Sequence, residues 1–85
     1  MSARTKTAEP CRPGFAHAYH IDWDAARDRW DIIDDDGRVL GHVHDLDQAK
    51  DLAIREAQHD HAAGRDVIVC VQQDDGTYAM AWSSR

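Results

Sequence analysis

The sequence predicts an α+β fold: an antiparallel four- to five-stranded sheet in the order βββαββ, with one helix packed on one face. Two Asp-Asp-Gly turns, at residues 35–37 and 74–76, each lie between two runs of strand-forming residues. A capped segment with helical spacing lies between these two units. Asp-Gly suits a type I′ hairpin, because both of its central residues need positive φ, which Gly and, less easily, Asp adopt.

The chain has 85 residues, the length of one small domain, predicted to span residues 15–85 after a flexible tail at residues 1–14. Its net charge is −6, and the tail carries a local charge of +2, which leaves −8 on the rest. Such a charge repels nucleic-acid phosphates and anionic lipid. The sequence contains no apolar run that approaches a membrane span and no signal-peptide core. We therefore expect a cytoplasmic protein with no membrane partner.

Three strands are predicted before the helix. Residues 15–21 alternate between larger side chains, from Phe15 to Ile21, and smaller or polar ones, which is the period of a strand. A loop at residues 24–28 follows. The second strand, residues 29–34, places Trp30 and Ile32 on one face and Ile33 on the other, and the third covers residues 38–44.

The helix is predicted over residues 46–63. Asp45 is its N-cap, because a carboxylate there accepts the free N–H groups of the first turn, and Gln48 completes a pattern that resembles a capping box. Gly64 is the expected C-cap. One apolar stripe recurs at helical spacing and consists of Leu46, Ala49, Leu52, Ala53 and Ala57.

Two strands follow the helix. The fourth, residues 66–72, is apolar without interruption, which is typical of a central strand or one covered on both faces. The fifth, residues 77–82, places Tyr78, Met80 and Trp82 on one face, opposite two small alanines.

This arrangement leaves more apolar surface than one Ala-rich helix can cover. Exposed aromatic surface usually marks an interface, so we expect a homodimer that forms through a sheet face or a free edge strand. The alternative is that the tail, or the loop after the first strand, covers this surface. The predicted interface residues are Trp30, Ile33, Ile68, Tyr78 and Trp82.

The histidines are the main reactive side chains. His42 and His44 are two apart on a strand and are candidate metal ligands, with Asp45, His20 or Asp22 as a third. No Cys-x-x-Cys or His-Glu-x-x-His motif accompanies them, so solvated surface histidines are the alternative. The Asp-rich turns lack the carboxylates that a calcium loop needs at its first and twelfth positions. We expect no cofactor.

Catalysis finds no support in the sequence. The serines are Ser2, Ser83 and Ser84, all near the termini, and no Gly-x-Ser-x-Gly or glycine-rich phosphate loop is present. Cys70 lies in an apolar strand and is expected to be a core residue. We therefore expect that the protein is not an enzyme.

Nucleic-acid binding is an alternative, because a three-stranded sheet followed by a helix can enter a DNA groove. Arg27, Arg29 and Arg38 are close in sequence around the first hairpin, near Trp23 and Trp30. Seven aspartates between positions 22 and 36 oppose their charge, so a solvated hairpin of mixed charge is the favoured interpretation.

The element order resembles a family of small bacterial proteins known only as a domain of unknown function with a ββ(β)αββ pattern. The resemblance rests on Trp30, on the segment 44–49 that leads into an Ala-rich helix, and on residues 66–69 followed by the turn at 75–76. Members typically have Gly-Trp at the second strand and Thr in the helix-cap segment, where this chain has Arg29-Trp30 and Asp45. The resemblance covers residues 15–82 and implies a fold but no activity or functional residue.

These observations predict a small acidic accessory module that binds an unidentified protein partner and associates with itself. A nucleic-acid-binding regulator and a histidine-based metal protein remain as alternatives.

Overall fold

The computed structural model describes residues 14–85, so the predicted tail at residues 1–14 lies, apart from Gly14, outside the described residues. The elements follow the predicted order βββαββ. They are β1 (His17–Asp24), β2 (Arg29–Ile33), β3 (Val39–Val43), α1 (Leu46–Ala62), β4 (Val67–Gln72) and β5 (Tyr78–Ser83). The prediction of an α+β fold with one helix on a sheet is confirmed.

The sheet has five strands in the order β3-β2-β1-β4-β5 and is mixed rather than antiparallel. β1 and β4 are parallel, with His17 opposite Val67, and the other neighbouring strands are antiparallel. The prediction of a purely antiparallel sheet is therefore wrong. The physical reason is the helix: it returns the chain to the end where β3 began, so β4 runs in the direction of β1 and inserts beside it. Its unbroken apolar sequence suits this central, parallel position.

Helix α1 packs against β1 to β4 through three alanines, Ala49, Ala53 and Ala57, which have no exposed surface. The predicted stripe is correct at these positions but wrong at Leu52, which is 40% exposed. Ile54 packs against the core instead. The two residues flank Ala53 on opposite sides, so a small rotation of the helix about the alanine stripe decides which of them is covered.

Both predicted ends of the helix are confirmed to within one residue. The carboxylate of Asp45 accepts the Gln48 N–H at 3.1 Å. At the other end Gly64 adopts a φ of +95°, one residue after the cap at Ala63. The N–H groups of Gly64 and Arg65 donate to carbonyl groups of the last helical turn, at 2.9 and 3.1 Å. This is the Schellman arrangement, which only a residue tolerant of positive φ supports well.

The two Asp-Asp-Gly turns are hairpins, but the prediction that they are type I′ turns is wrong. Gly37 and Gly76 have positive φ, +82° and +87°, whereas the aspartates before them do not. In each turn the glycine N–H donates back across the turn, to Asp34 at 3.0 Å and to Gln73 at 2.9 Å. Each hairpin therefore has a three-residue loop that ends in a left-handed glycine, which requires one positive-φ residue instead of two.

Each edge strand contains one extra residue that interrupts its pairing. Val69 pairs with Trp82 while Cys70 pairs with Met80, so Ala81 is a bulge in β5, and Leu40 has the same role in β3. The prediction that Tyr78, Met80 and Trp82 share one face is therefore wrong. The extra residue moves Trp82 to the side of the helix, because each added residue reverses the facing of those beyond it.

Candidate interaction surface

The five predicted interface residues lie on two different faces of the sheet. Trp30 and Trp82 are half-buried and pack against the core under α1. Ile33, Ile68 and Tyr78 lie on the face that carries no helix in the described part of the chain. The structure therefore does not bring the five together, and their role at an interface remains a prediction.

The helix-free face has a small apolar centre and a polar surround. Ala18, Ile68 and Cys70 are buried there, and Phe15 and Tyr78 pack against them. The Tyr78 hydroxyl donates to Oδ1 of Asp22 at 2.7 Å, and the ring of His20 lies 4.9 Å from that of Tyr78. This face is thus less apolar than the sequence predicted, because its side chains are small at the centre and hydrogen-bonded around it.

The two edge strands of the sheet are unusual because they carry no charged residue. β3 and β5 are the edge strands, and neither contains Asp, Glu, Lys or Arg, although 31% of the chain is charged. The charged residues of the sheet are in β1 and β2, which are interior strands. Val39 and Leu40 of β3 are 48% and 43% exposed, and Met80 of β5 is 63% exposed. Charges and bulges are two of the features by which natural edge strands avoid pairing with another chain; each of these strands has a bulge, and neither has a charge.

An open groove runs beside α1 over the helix side of β5. It encloses about 390 Å³, and its lining includes Leu46 and Lys50 of the helix and Ala79 and Ala81 of β5. The groove exists because α1 packs on β1 to β4 and the β5 side chains below it are small. β5 is therefore accessible along its free edge and on its helix side.

A second groove, of about 460 Å³, lies at the end of the sheet where β1 and β4 finish. Trp23 and Trp30 form part of its wall, with ring centroids 5.1 Å apart and planes tilted by 56°. Gln72 and Asp74 line it as well. The backbone N–H of Trp23 donates to Oε1 of Gln72 at 2.9 Å, which fixes one wall relative to the other. The sequence interpretation placed Trp23 outside the strand and so missed its pairing with Trp30.

The three arginines of the nucleic-acid alternative do not form one patch. Arg27 and Arg29 lie at the β1–β2 turn, whereas Arg38 lies at the opposite end of the sheet, after the β2–β3 turn. Each is paired with an aspartate: Arg27 with Asp24 at 3.1 Å, Arg29 with Asp31 at 2.9 Å, and Arg38 with Asp34 at 3.5 Å. The hydrogen bond from the Arg27 side chain is the main cause that lowers the pKa of Asp24.

The histidines of the metal alternative are also separate. His42 is exposed on β3, and His44 follows the strand and donates from Nδ1 to the carbonyl oxygen of Asp28 at 2.9 Å. Within residues 14–85 no three His, Cys, Asp or Glu side chains are grouped so that they could hold a metal ion.

A cluster that the sequence did not indicate joins three segments at the other end of the sheet. Nδ1 of His17 lies 2.7 Å from Oδ2 of Asp35, and its Nε2 lies 3.5 Å from Oδ2 of Asp60. The Tyr19 hydroxyl donates to the same oxygen of Asp60. Burial of the phenol, followed by its hydrogen bond to Asp60, raises the pKa of Tyr19 far above its usual value. Asp35 is 18 positions after His17 and Asp60 is 43 positions after it, so no local spacing could reveal the cluster.

The aspartates of the two turns accept hydrogen bonds from backbone N–H groups of the same turn. Oδ1 of Asp34 accepts the N–H groups of Asp36 and Arg38 at 2.9 and 3.0 Å. The bond from the Arg38 N–H is the main cause that lowers the pKa of Asp34. In the second turn the Thr77 hydroxyl and N–H donate to Asp75, and the hydroxyl bond is the main cause that lowers its pKa. These carboxylates stabilise the hairpins.

Comparisons of the chain with known protein families, with curated proteins and with solved structures find no match. The resemblance to the bacterial family of unknown function therefore stays a prediction. The helix of the described residues is not of the length and apolarity needed to cross a membrane.

Proposed function

We propose that this protein is a cytoplasmic accessory module that acts by binding other proteins, has no catalytic activity of its own, and forms a homodimer by pairing β5 of one copy with β5 of another. The observation that carries the proposal is the absence of charge along β5, a six-residue edge strand in a chain that is otherwise rich in charge. An unpaired edge of this kind presents a row of N–H and C=O groups to which a further strand can bind.

β5 is favoured over β3 by its surroundings. It is one residue longer, six against five, and Met80 is the most exposed of the large hydrophobic side chains on either edge. The groove between α1 and β5 continues the apolar surface onto the other side of the strand. A second copy paired here covers Met80 on one face and approaches Ala79 and Ala81 on the other.

A dimer of this kind has two-fold symmetry, because antiparallel pairing of identical strands brings the same surface of both copies together. The two sheets become one continuous ten-stranded sheet, with β3 at each outer edge. A stable dimer buries roughly 800 Å² per copy, more than one short strand supplies, so the side chains beside the strand have to contribute. The open groove next to α1 supplies that additional surface.

Sedimentation equilibrium over the micromolar range tests the proposal. We expect a dimer for the native chain, a monomer for Met80→Lys, and a dimer for the matched control Leu40→Lys, which places the same charge on the other edge. A native chain that stays monomeric contradicts self-association. A Leu40→Lys variant that dissociates while Met80→Lys stays dimeric contradicts the assignment to β5. Circular dichroism of each variant checks that the fold is retained.

A further inference from the structure

We propose that the groove walled by Trp23 and Trp30 binds a cationic side chain, an arginine or lysine, in a basic segment of a partner protein. The site lies at the end of the sheet where β1 and β4 finish, and the part of it defined by Trp23, Trp30, His44, Gln72 and Asp74 contains no residue of β5. It adjoins the groove beside α1, with which it shares Trp30, Gln72, Gln73 and Asp74, whereas Trp23 and His44 line this site and not that one.

The aromatic pair is the first argument for a cation. Trp23 is 40% exposed, and its indole lies 5.1 Å from that of Trp30 with the planes tilted by 56°. At this separation the two rings contact each other, and the exposed part of the Trp23 indole is the surface on which a cation can lie. Indole is the strongest of the aromatic partners for a cation, and arginine is the most frequent cation in such contacts.

The electrostatic environment is the second argument. Asp74 contributes a carboxylate to the lining, and the segments around the groove carry six carboxylates, at positions 24, 28, 45, 47, 74 and 75. Three basic side chains oppose them, at positions 27, 29 and 50. Arg27 pairs with Asp24, one of the six, and Arg29 pairs with Asp31, which leaves five carboxylates against Lys50. Residues 14–85 carry a net charge of −8. A basic partner is thus attracted both over a distance and at the site.

The walls of the groove are held in place before any ligand arrives. Gln72 accepts the Trp23 N–H, and His44 donates to the Asp28 carbonyl, each at 2.9 Å. These bonds connect β1 to β4 and the end of β3 to the β1–β2 turn. Little ordering is required on binding, which favours affinity for a small group such as a guanidinium.

Titration of ¹⁵N-labelled protein with hexa-arginine, followed through the indole N–H signals in NMR spectra, tests the proposal. The chain has three tryptophans, and Trp82 serves as the internal control because it lies on β5, away from the lining. We expect the Trp23 and Trp30 signals to shift and that of Trp82 to stay. Hexa-citrulline, which has the same shape without the charge, is expected to leave all three signals unchanged.

Variants separate a local site from general attraction. Trp23→Ala is expected to weaken hexa-arginine binding about threefold to thirtyfold, the range for a cation on an aromatic face. Asp74→Asn is expected to weaken it more than Asp36→Asn, which removes the same charge at the opposite end of the sheet. Equal effects of the two aspartate variants, equal binding of hexa-citrulline, or no binding at low salt overturns the proposal. The proposal is also overturned if the indole signals shift with protein concentration alone, or if an added oligosaccharide shifts them and the peptide does not.

Discussion

Alkaline pH is expected to destabilise this protein through one phenol, that of Tyr19. Its side chain is 4% exposed and its hydroxyl donates to the carboxylate of Asp60. Ionisation places a buried phenolate against a carboxylate, which is why the pKa of Tyr19 is raised, first by burial and then by that hydrogen bond. A group whose pKa is raised by folding contributes stability that is complete below its unfolded pKa and is lost as the pH rises above it.

The size of this loss follows from linkage. The unfolded phenol has a pKa of about 10, and because folding raises the pKa of Tyr19 strongly, the unfolded chain is the one that ionises between pH 10 and about pH 11. The free energy of unfolding then falls by about 0.4 kcal/mol at pH 10 and by about 1.4 kcal/mol at pH 11, relative to neutral pH. This is a measurable part of the roughly 5–15 kcal/mol that small domains have in total.

Urea denaturation followed by tryptophan fluorescence at fixed protein concentration measures the effect. The native chain is compared with Tyr19→Phe, which lacks the ionising group, and with Tyr78→Phe, which loses the hydroxyl that donates to Asp22. We expect Tyr19→Phe to be less stable at neutral pH and to lose less stability than the native chain as the pH rises to about 11, whereas Tyr78→Phe retains the loss attributed to Tyr19. If the native chain and Tyr19→Phe lose the same stability over this interval, the reasoning is refuted.

Further predictions concern packing, turn geometry and acid stability. Ala53→Leu is expected to cost about 1–3 kcal/mol in a urea titration, because the helix lies directly on the sheet there, whereas Leu52→Ala on the exposed side should change stability by less than about 0.5 kcal/mol. Gly76→Ala is expected to cost about 1–2 kcal/mol because φ is +87°, while Gly41→Ala, with open space and no positive φ, should be nearly neutral. The pKa of Asp34 is lowered by folding, so its contribution is present above the ordinary carboxylate pKa and is lost as the pH falls through the acid range. Asp34→Asn should therefore show a smaller loss of stability on acidification than the native chain; an equal loss contradicts this assignment.

The secondary structure was predictable because it depends on local chemistry. Asp45, Gly64 and the two left-handed glycines mark element ends through hydrogen bonds to residues within a few positions. The pairing of β1 with β4 was not predictable from local patterns, because the unbroken apolar sequence marks β4 as a central strand without indicating which strands are its neighbours. The direction of β4 depends on the helix as a crossover, which is a property of the whole chain.

The candidate surfaces were predictable only in part. The exposed hydrophobic residues of the edges, Val39, Leu40 and Met80, were not among the predicted interface residues. The one-residue bulge that rotates Trp82 away from Met80 leaves no signature in the sequence. The Trp23–Trp30 pair depends on the register of β1 with β2. The His17 cluster depends on how the β2–β3 turn and the end of α1 lie against the start of β1. The members of both are recognisable one at a time, but their proximity is a property of the fold.

The parallel pair of strands also determines when the domain can form during synthesis. β1 is the first strand of residues 14–85 and a central one, yet its partner β4 follows 50 residues later, as the pairing of His17 with Val67 shows. Until β4 leaves the ribosome, β1 has one unpaired side, and the core residues Val67, Val69 and Val71 are missing from beneath the helix. The N-terminal two thirds of the chain therefore lack part of the core, and the last hairpin supplies it.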